Sequence, residues 1–124
     1  MLPPAEIDFQ YKAAPGRALI VDYQAKWDPD SYAYHHTPRR FDFEAADEGL
    51  LEELRSLARE CWQLFGLRGY ARVDFRVDRR GRPWILEINA NPCLAPDAGF
   101  ASALTQANIP YTDAIGRIVA ASLP

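Results

Sequence analysis

The sequence predicts an α+β fold in which an antiparallel β-sheet of about four strands packs against helices. Residues 70–78 and 84–92 alternate polar and apolar side chains on either side of a glycine-containing turn, which is typical of a β-hairpin with one buried face. Residues 47–65 repeat leucines at helical spacing instead. With 124 residues, 48% of them hydrophobic and 25% charged, the chain is expected to form one folded domain over residues 1–124.

The N-terminal third of the chain is predicted to add two strands to this sheet. Residues 5–9 and 18–23 are the candidate strands, and a polar turn at residues 14–16 would let them pair as a hairpin. The next segment, residues 27–40, contains two prolines and shows no clear period. Because compact domains seldom keep loops beyond about 12–15 residues without a use, this segment is predicted to be a functional loop.

Helices are predicted at residues 47–65, at about residues 98–107 and at residues 112–121. The first helix has an apolar stripe that is expected to be buried, and Gly66 is placed to end it. The members of the stripe are Leu50, Leu54, Leu57, Ala58, Cys61, Leu64 and Phe65. In the last helix, the residues expected to pack inward are Ile115, Ile118 and Val119.

The register of the hairpin follows from its faces, because a slip of one residue would reverse every side chain. A four-residue loop at residues 79–82 gives a wholly apolar face. Its predicted cross-strand pairs are Val77 with Trp84, Phe75 with Leu86, and Val73 with Ile88. On the opposite face the same register pairs Asp74 with Glu87 and Arg72 with Asn89.

The opposed carboxylates of Asp74 and Glu87 call for a partner of opposite charge. Directly opposed Cβ atoms lie about 4.5–5.5 Å apart, and like charges at that distance are destabilising. A divalent cation held by the two carboxylates and the amide oxygen of Asn89 would offset the repulsion, and these donors suit Mg²⁺. The alternative is a solvated face in which Arg72 or Arg76 partners the carboxylates.

Several segments of the chain resemble ATP-grasp ligases, and among them most of all the D-alanine:D-alanine ligases. R-V-D-F at residues 72–75, followed after the turn by L-E-I-N-A-N-P at residues 86–92, is similar to the metal-binding signature of that superfamily. Weaker likenesses are L-P-P-A-E-I at residues 2–7, D-Y-Q-A-K-W at residues 22–27 and L-F-G-L-R-G-Y at residues 64–70. The resemblance implies the C-terminal subdomain of the ATP-grasp fold.

The resemblance also implies a chemistry and a set of roles. ATP would phosphorylate a carboxylate, and an amine would displace phosphate from the acyl phosphate to leave an amide. Asp74, Glu87 and Asn89 would bind two Mg²⁺ ions, with Mn²⁺ as a substitute, and Arg72 would stabilise charge on the transferred phosphoryl group. Lys26 would contact the nucleotide phosphates, whereas without the resemblance it is an ordinary solvated lysine.

The loop after the hairpin departs from the family pattern N-x-x-P-G-[MF]-T, which helps to form the amino-acid pocket in those ligases. Cys93 replaces the glycine, and A-P-D at residues 95–97 replaces the hydroxyl-bearing residues. Asp97 is expected to cap the following helix, with binding of a substrate ammonium group as the alternative. The two substrates are therefore expected to be a carboxylate and an amine, each an amino acid or a peptide. Their identities stay unassigned.

The parts of an ATP-grasp enzyme that precede this region are expected to lie outside the 124 residues. No glycine-rich phosphate loop occurs in the sequence. The resemblance therefore implies a partner, namely the N-terminal part of the ligase, in the same polypeptide or in a separate chain. Alone, the chain is expected to bind nucleotide poorly and to catalyse nothing.

Composition excludes several other classes of function. A net charge of -3 offers no basic field for nucleic acid, and no apolar run approaches the roughly 18 residues of a membrane span. The two cysteines fit reduced thiols, so cytoplasmic residence is expected. Two alternatives to an enzyme stay open: a remnant that binds a metal-nucleotide or a protein without turnover, and a structural domain whose polar face is only salt-bridged.

Overall fold

The structure is a computed structural model that describes residues 1–13 and 18–123. These residues form two compact units, one of Ala5–Asp42 and one of Met1–Pro4 with Phe43–Pro124. The elements in chain order are β1 (Glu6–Ile7), α1 (Tyr23–Trp27), α2 (Tyr32–His35), β2 (Arg39–Arg40), a 3₁₀ turn (Ala45–Asp47), α3 (Glu48–Leu64), β3 (Arg72–Val77), β4 (Pro83–Asn89), α4 (Gly99–Gln106) and α5 (Tyr111–Ser122). The predicted α+β class is confirmed, and the expectation of a single domain stays a prediction.

The strands of the described residues form two antiparallel pairs, β1 with β2 and β3 with β4. The prediction of one sheet of about four strands is therefore wrong in its connectivity. No described helix is both long and apolar enough to cross a membrane.

In the unit Ala5–Asp42, β1 pairs with β2 and not with residues 18–23. Glu6 lies opposite Arg40, and its carboxylate accepts a 2.8 Å hydrogen bond from Nε of that guanidinium. The first predicted strand is thus present but shorter, with a partner 34 residues further along the chain. The predicted turn at residues 14–16 lies outside the described residues.

The predicted strand at residues 18–23 is wrong, because the chain there leads into a helix. The Asp22 carboxylate accepts the N–H of Ala25 at 2.9 Å and caps α1. Such a side-chain cap satisfies a donor that the first turn of a helix leaves unpaired. The apolar residues 18–21 favour a strand in the sequence, but the cap at Asp22 starts a helix directly after them.

The segment predicted as a functional loop, residues 27–40, contains two short elements, α2 and β2. Ser31 caps α2 by accepting the N–H of Tyr34 at 3.1 Å, and Thr37 donates its hydroxyl to the carbonyl of Ala33 at 2.8 Å. The segment is therefore not an irregular loop throughout, and a functional role for it stays a prediction.

In the second unit, α3 confirms the long helix predicted at residues 47–65. Leu51 and Cys61 are its buried residues, and Gly66 has a φ of 57° just past its end. The predicted stripe is wrong at Leu64 and Phe65, which are 81% and 60% exposed, because the helix ends at these positions. The rest of the small core comes from α4 and α5, namely Ala101, Ala103, Leu104 and Ala114.

The two C-terminal helices lie within about one residue of their predicted bounds. In α5, Ile115 and Ile118 are half-buried as expected, but Val119 is 53% exposed and Ala114 is buried in its place. Ala98 occupies the N-cap position of α4, so the prediction that Asp97 caps this helix is wrong. The turn that closes from the Ala98 N–H to the carbonyl of Ala95 delays the helix by one residue.

The hairpin of β3 and β4 changes register halfway along its length. Arg72 pairs with Asn89, Val73 with Ile88 and Asp74 with Glu87, as predicted. A β-bulge follows, after which the pairs are Phe75 with Ile85, Arg76 with Trp84 and Val77 with Pro83. The predicted pairs of the turn end are therefore wrong by one residue.

The turn explains this shift. Asp78 donates its N–H to the carbonyl of Arg82, so the loop has residues 79–81 only, and Gly81 takes a φ of 77°. A type I turn followed by a left-handed glycine is the usual geometry of a hairpin loop of this length. The Asp78 carboxylate stabilises it by accepting the backbone N–H groups of Arg80 and Arg82 at 2.8 and 3.1 Å. Leu86 is then the extra residue of the bulge, and its side chain is 63% exposed.

Candidate functional site

Four of the five predicted site residues come together on one face of the hairpin. Arg72 and Asp74 lie on β3, directly across from Asn89 and Glu87 on β4. Alternation along each strand places residues two apart on the same side, so these four side chains share one surface. We call Arg72, Asp74, Glu87 and Asn89 the polar face.

Within the polar face, Arg72 and Asp74 form a bidentate ion pair. Nε of Arg72 donates to Oδ1 of Asp74 at 2.7 Å, and Nη2 donates to Oδ2 at 2.8 Å. This hydrogen bonding is the main cause that raises the pKa of Arg72 above its ordinary value, with smaller contributions from the charges of Asp74 and Glu87. Both side chains stay partly open to solvent. The repulsion between the opposed carboxylates is thus offset by Arg72, which is one of the two alternatives that the sequence left open.

Glu87 is an exposed member of the polar face, as is Arg72. Its carboxylate forms no hydrogen bond or ion pair with any residue in the described part of the chain. It contributes to raising the pKa of Arg72 only through its charge. Both of its oxygens are therefore available to a ligand from solvent, whereas those of Asp74 are already engaged.

The Asn89 carboxamide is oriented by the backbone that follows it. Its Oδ1 accepts the N–H of Asn91 at 2.8 Å, which identifies the atom that faces this N–H as oxygen and not nitrogen. A carboxamide oxygen has a second lone pair, which the turn leaves unused. Asn89 is half-buried, so its geometry is better defined than that of Glu87.

The fifth predicted residue, Lys26, lies in the other unit. It occupies the last turn of α1, and its side chain is exposed. Its contact with nucleotide phosphates stays a prediction.

Two tyrosines that the sequence did not single out hold the loop that follows β4. The Tyr70 hydroxyl donates to Oδ1 of Asn91 at 2.6 Å, and the Tyr111 hydroxyl donates to the carbonyl of Leu94 at 2.7 Å. Alternation gave a signal for the first of them, because Tyr70 precedes Arg72 by two residues and so extends the polar side of β3. No sequence pattern pointed to Tyr111.

A cavity of about 420 Å³ lies beside Glu87. Its wall is mostly apolar, and it is lined by Phe65, Leu67, Ile85, Leu86, Glu87, Ile88 and Ala90. The bulge contributes to it, because the extra residue Leu86 turns its side chain toward the surface. Ile88 alternates with Glu87 and Asn89 along β4 and pairs with Val73, so this part of the wall lies on the side of the hairpin opposite the polar face.

No group of three or more His, Cys, Asp or Glu side chains with metal-binding geometry occurs among residues 1–13 and 18–123. The polar face offers two carboxylates and one carboxamide oxygen, which are hard donors of the kind that Mg²⁺ prefers. The donor set therefore fits Mg²⁺ once Arg72 releases at least one oxygen of Asp74.

Comparisons with known proteins agree with the resemblance seen in the motifs. A family model described as "D-ala D-ala ligase C-terminus" matches residues 7–120. The D-alanine--D-alanine ligase of Methylococcus capsulatus is 31% identical over 103 residues, which is 83% of this chain and 31% of that protein. Those of Pelotomaculum thermopropionicum and Nitrosococcus oceani are 34% and 33% identical, over 81% and 85% of this chain and 30% and 31% of their own lengths.

These relatives are about three times as long as the region of similarity, so the chain spans less than a third of the proteins it matches. The match nevertheless covers almost the whole of residues 1–124, including both strands of the polar face. The chain belongs to the family of D-ala D-ala ligase C-terminal domains.

Proposed function

We propose that this chain is the metal- and phosphate-binding domain of an ATP-dependent ligase that joins a carboxylate to an amine through an acyl phosphate. The observation that carries the proposal is the pairing of Arg72 with Asn89 and of Asp74 with Glu87 on one face. Membership of the ligase family supports the reaction class. The substrates are small molecules, an amino acid or peptide that supplies the carboxylate and another that supplies the amine.

In this proposal Asp74, Glu87 and Asn89 would hold two Mg²⁺ ions, and Glu87 would be the ligand shared between them. Glu87 fits the bridging role because its two oxygens are unengaged in the described structure, while its neighbours lie on either side of it. When bound, the metal ions would neutralise negative charge on the β- and γ-phosphate oxygens of ATP. Mn²⁺ has the same donor preference and is a substitute.

Arg72 changes partner as the metal-nucleotide binds. Its planar guanidinium matches a carboxylate and a phosphate group equally well, because each offers two oxygens to the same pair of N–H groups. Phosphate oxygens therefore replace Asp74 as the acceptors, which frees Asp74 to bind metal. Arg72 then lies where it stabilises charge on the transferred phosphoryl group and on the tetrahedral intermediate.

Lys26 supplies a second positive charge to the phosphates in the complete site. A lysine ammonium binds phosphate oxygens as a mobile point charge, and the exposed position of Lys26 at the end of α1 leaves it able to reach a ligand.

The remaining parts of the ligase, in the same polypeptide or in a separate chain, complete the nucleotide site. The proposal needs them because the chain spans less than a third of its relatives. The requirement for ATP and Mg²⁺ fits a cytoplasmic enzyme.

The second candidate is a domain that binds a metal-nucleotide without turnover. The replacement of the family glycine by Cys93 in the pocket loop favours it, since this loop helps to form the amino-acid pocket in the ligases that the chain resembles. Mass spectrometry of amino-acid pools incubated with ATP and the longest natural polypeptide that contains this chain decides between the two candidates. An amide product formed together with ADP supports the ligase, and nucleotide binding without any product supports the binding domain.

The direct test of the polar face is titration of the longest natural polypeptide that contains this chain with Mg²⁺-ADP after substitution of Glu87. Glu87→Ala removes the proposed bridging ligand, and we expect an affinity at least about tenfold weaker. Glu53→Ala is the matched control, because Glu53 is an exposed carboxylate on α3 outside the polar face. Affinity of Glu87→Ala equal to that of the parent would overturn the assignment.

A further inference from the structure

We propose that Tyr70 is a positioning residue that orients Asn89 for metal binding, acting through Asn91. The inference rests on the proposed function, in which Asn89 is a metal ligand. It adds two residues, Tyr70 and Asn91, that contact neither metal nor nucleotide. The link consists of two hydrogen bonds in series, from Tyr70 to Asn91 and from Asn91 to Asn89.

The first bond joins the ends of the two strands. Tyr70 lies two residues before Arg72, and Asn91 lies two residues after Asn89, so the two residues continue the register of the Arg72–Asn89 pair beyond the ladder. Their side chains therefore emerge on the same side of the hairpin as the polar face. The Tyr70 hydroxyl donates to Oδ1 of Asn91 at 2.6 Å, a short distance even for an O–H donor.

The second bond passes from the backbone of Asn91 to the side chain of Asn89. The Asn91 N–H donates to Oδ1 of Asn89 at 2.8 Å, which forms a small turn closed by the side chain. This bond selects one of the two orientations of the carboxamide, the one whose oxygen has a lone pair left for a cation. The opposite orientation would present an NH₂ group, which cannot bind a metal ion.

The hydrogen bond from the Tyr70 hydroxyl fixes the position of the Asn91 backbone. Residues 90–98 belong to no regular element apart from the N-cap of α4, so no ladder hydrogen bond fixes Asn91 after β4 ends. Loss of the Tyr70 hydroxyl frees the Asn91 side chain. The backbone N–H of Asn91 can then move away from Oδ1 of Asn89. The carboxamide of Asn89 then rotates between its two orientations.

The ring of Tyr70 is held independently of its hydroxyl. It packs edge to face against Phe100, with ring centroids 5.5 Å apart and an interplanar angle of 61°. Tyr70→Phe should therefore keep the packing and remove only the hydrogen bond. This separation makes the positioning role testable without unfolding the loop.

Tyr111→Phe is the matched control. It deletes the same chemical group from a tyrosine that anchors the same loop, but its partner is the carbonyl of Leu94, three residues beyond Asn91. If Tyr70 acted only by stabilising the loop, the two substitutions would have similar effects. If Tyr70 has a positioning role, only Tyr70→Phe should change the orientation of the Asn89 carboxamide.

The first measurement is NMR on the metal-free 124-residue chain. We expect Tyr70→Phe to accelerate exchange of the Asn91 amide proton and to shift the side-chain amide resonances of Asn89, while Tyr111→Phe changes neither. Exchange and resonances that stay at their parental values in Tyr70→Phe would overturn the proposed link. This measurement needs no ligand, so its outcome is independent of the proposed function.

The second measurement is titration with Mg²⁺-ADP. Loss of an outer partner of a metal ligand typically weakens affinity by about 10–100-fold, and we expect about tenfold for Tyr70→Phe with a change below about twofold for Tyr111→Phe. Equal weakening by the two substitutions would overturn the inference. In a polypeptide with ligase activity, the loss in Tyr70→Phe should be recovered at high Mg²⁺ concentration, which a general loss of folding would not allow.

A double substitution tests whether the two new residues act in one pathway. Asn91→Ala removes the acceptor of the Tyr70 bond, so Tyr70→Phe should have little additional effect in its presence. Additive losses would overturn the serial link. Absence of Mg²⁺-ADP affinity in the longest natural polypeptide that contains this chain would overturn the proposed metal site and the role of Tyr70 in it. Exchange of the Asn91 amide proton would still decide whether the hydrogen-bonded link exists.

Discussion

The two ends of the β3–β4 hairpin have different registers. At the end that bears the polar face, each residue pairs as the alternation of the sequence predicts, with Asp74 opposite Glu87. At the turn end, the pairs are displaced by one residue because the loop contains residues 79–81 only. The bulge at Leu86 lies between the two registers and absorbs the difference.

This difference shows what the bulge does for the polar face. If the register of the turn end continued without a bulge, Asp74 would lie opposite Leu86, and Arg72 would lie opposite Ile88. The carboxylates would then point to opposite sides of the hairpin, because side chains alternate along a strand. One extra residue thus lets a compact turn and a polar face coexist on the same two strands.

The largest expected effect tests the end that bears the polar face. Asp74→Asn keeps the shape of the side chain but removes the charge, and we expect affinity for Mg²⁺-ADP to fall by about 100-fold. The melting temperature should change little, because loss of the Arg72 ion pair is accompanied by relief of repulsion from Glu87. Calorimetric titration and thermal unfolding measure the two quantities.

Asp30→Asn is the control for this substitution, since Asp30 is an exposed carboxylate in the other unit. It should leave both the affinity and the melting temperature at parental values. If the Asp74→Asn chain unfolds at a much lower temperature, the polar face stabilises the fold. That result would contradict the expectation that Asp74 affects binding and not stability.

The next largest effect tests the turn end. Gly81→Val places a β-branched residue at a φ of 77°, a strain of about 1–2 kcal/mol that a side chain meets even in open space. Gly116→Ala is the opposite control, because it fills open space in the middle of α5 and should stabilise the fold by up to about 1 kcal/mol. Denaturant unfolding measures both changes. Loss of Mg²⁺-ADP binding by a folded Gly81→Val chain would show that the bulge does not separate the two registers.

A smaller, pH-dependent effect is expected from Asp78. Backbone hydrogen bonding from Arg82 is the first cause that lowers the pKa of Asp78 in the folded chain. A carboxyl group with a lowered folded pKa contributes stability that is fully present above its unfolded pKa of about 3.9 and is lost as the pH falls through the folded value. The melting temperature of Asp78→Asn should therefore lie below that of the parent near pH 6, and the gap should close as the pH falls through the lowered pKa of Asp78 in the folded chain.

The Asp78→Asn variant also shows whether the turn end of the hairpin affects binding at the polar face. Asp78 is remote from the polar face along both strands, so Asp78→Asn should bind Mg²⁺-ADP as the parent does at pH 7. A gap in melting temperature that stays constant down to acidic pH would contradict the assigned role of the carboxylate in the turn.

The smallest effect is expected at the bulge itself. Leu86→Ser removes a side chain that is 63% exposed, so the free energy of unfolding should change by no more than about 0.5 kcal/mol. The bulge needs an extra backbone unit at this position and not a particular side chain. Denaturant unfolding checks this, and a loss of several kcal/mol would show that Leu86 is packed in solution.

The sequence predicted those features that depend on local periodicity. The helix α3 and the four residues of the polar face follow from patterns that span a few residues, and both are present where the patterns placed them. The length of the loop at residues 79–81 was not predictable from alternation, since it depends on how the Asp78 carboxylate binds backbone N–H groups.

Other features could not be predicted because periodicity shows that a face is apolar but not what covers it. Leu64 and Phe65 continue the stripe of α3, yet both are exposed. The pairing of β1 with residues 39–40 joins distant segments, for which the sequence carries no local signal. The hydrogen bond between Tyr70 and Asn91 became visible only when the register of the strand ends was known.

The different surroundings of the two cysteines give this chain a natural position for a spectroscopic label. Cys61 is 6% exposed within α3, whereas Cys93 is exposed in the loop that follows β4. A maleimide fluorophore or a nitroxide should therefore attach to Cys93 alone, without any engineered cysteine. Such a label would sit in the loop that follows the polar face, where its signal can be followed during titration with Mg²⁺-ADP.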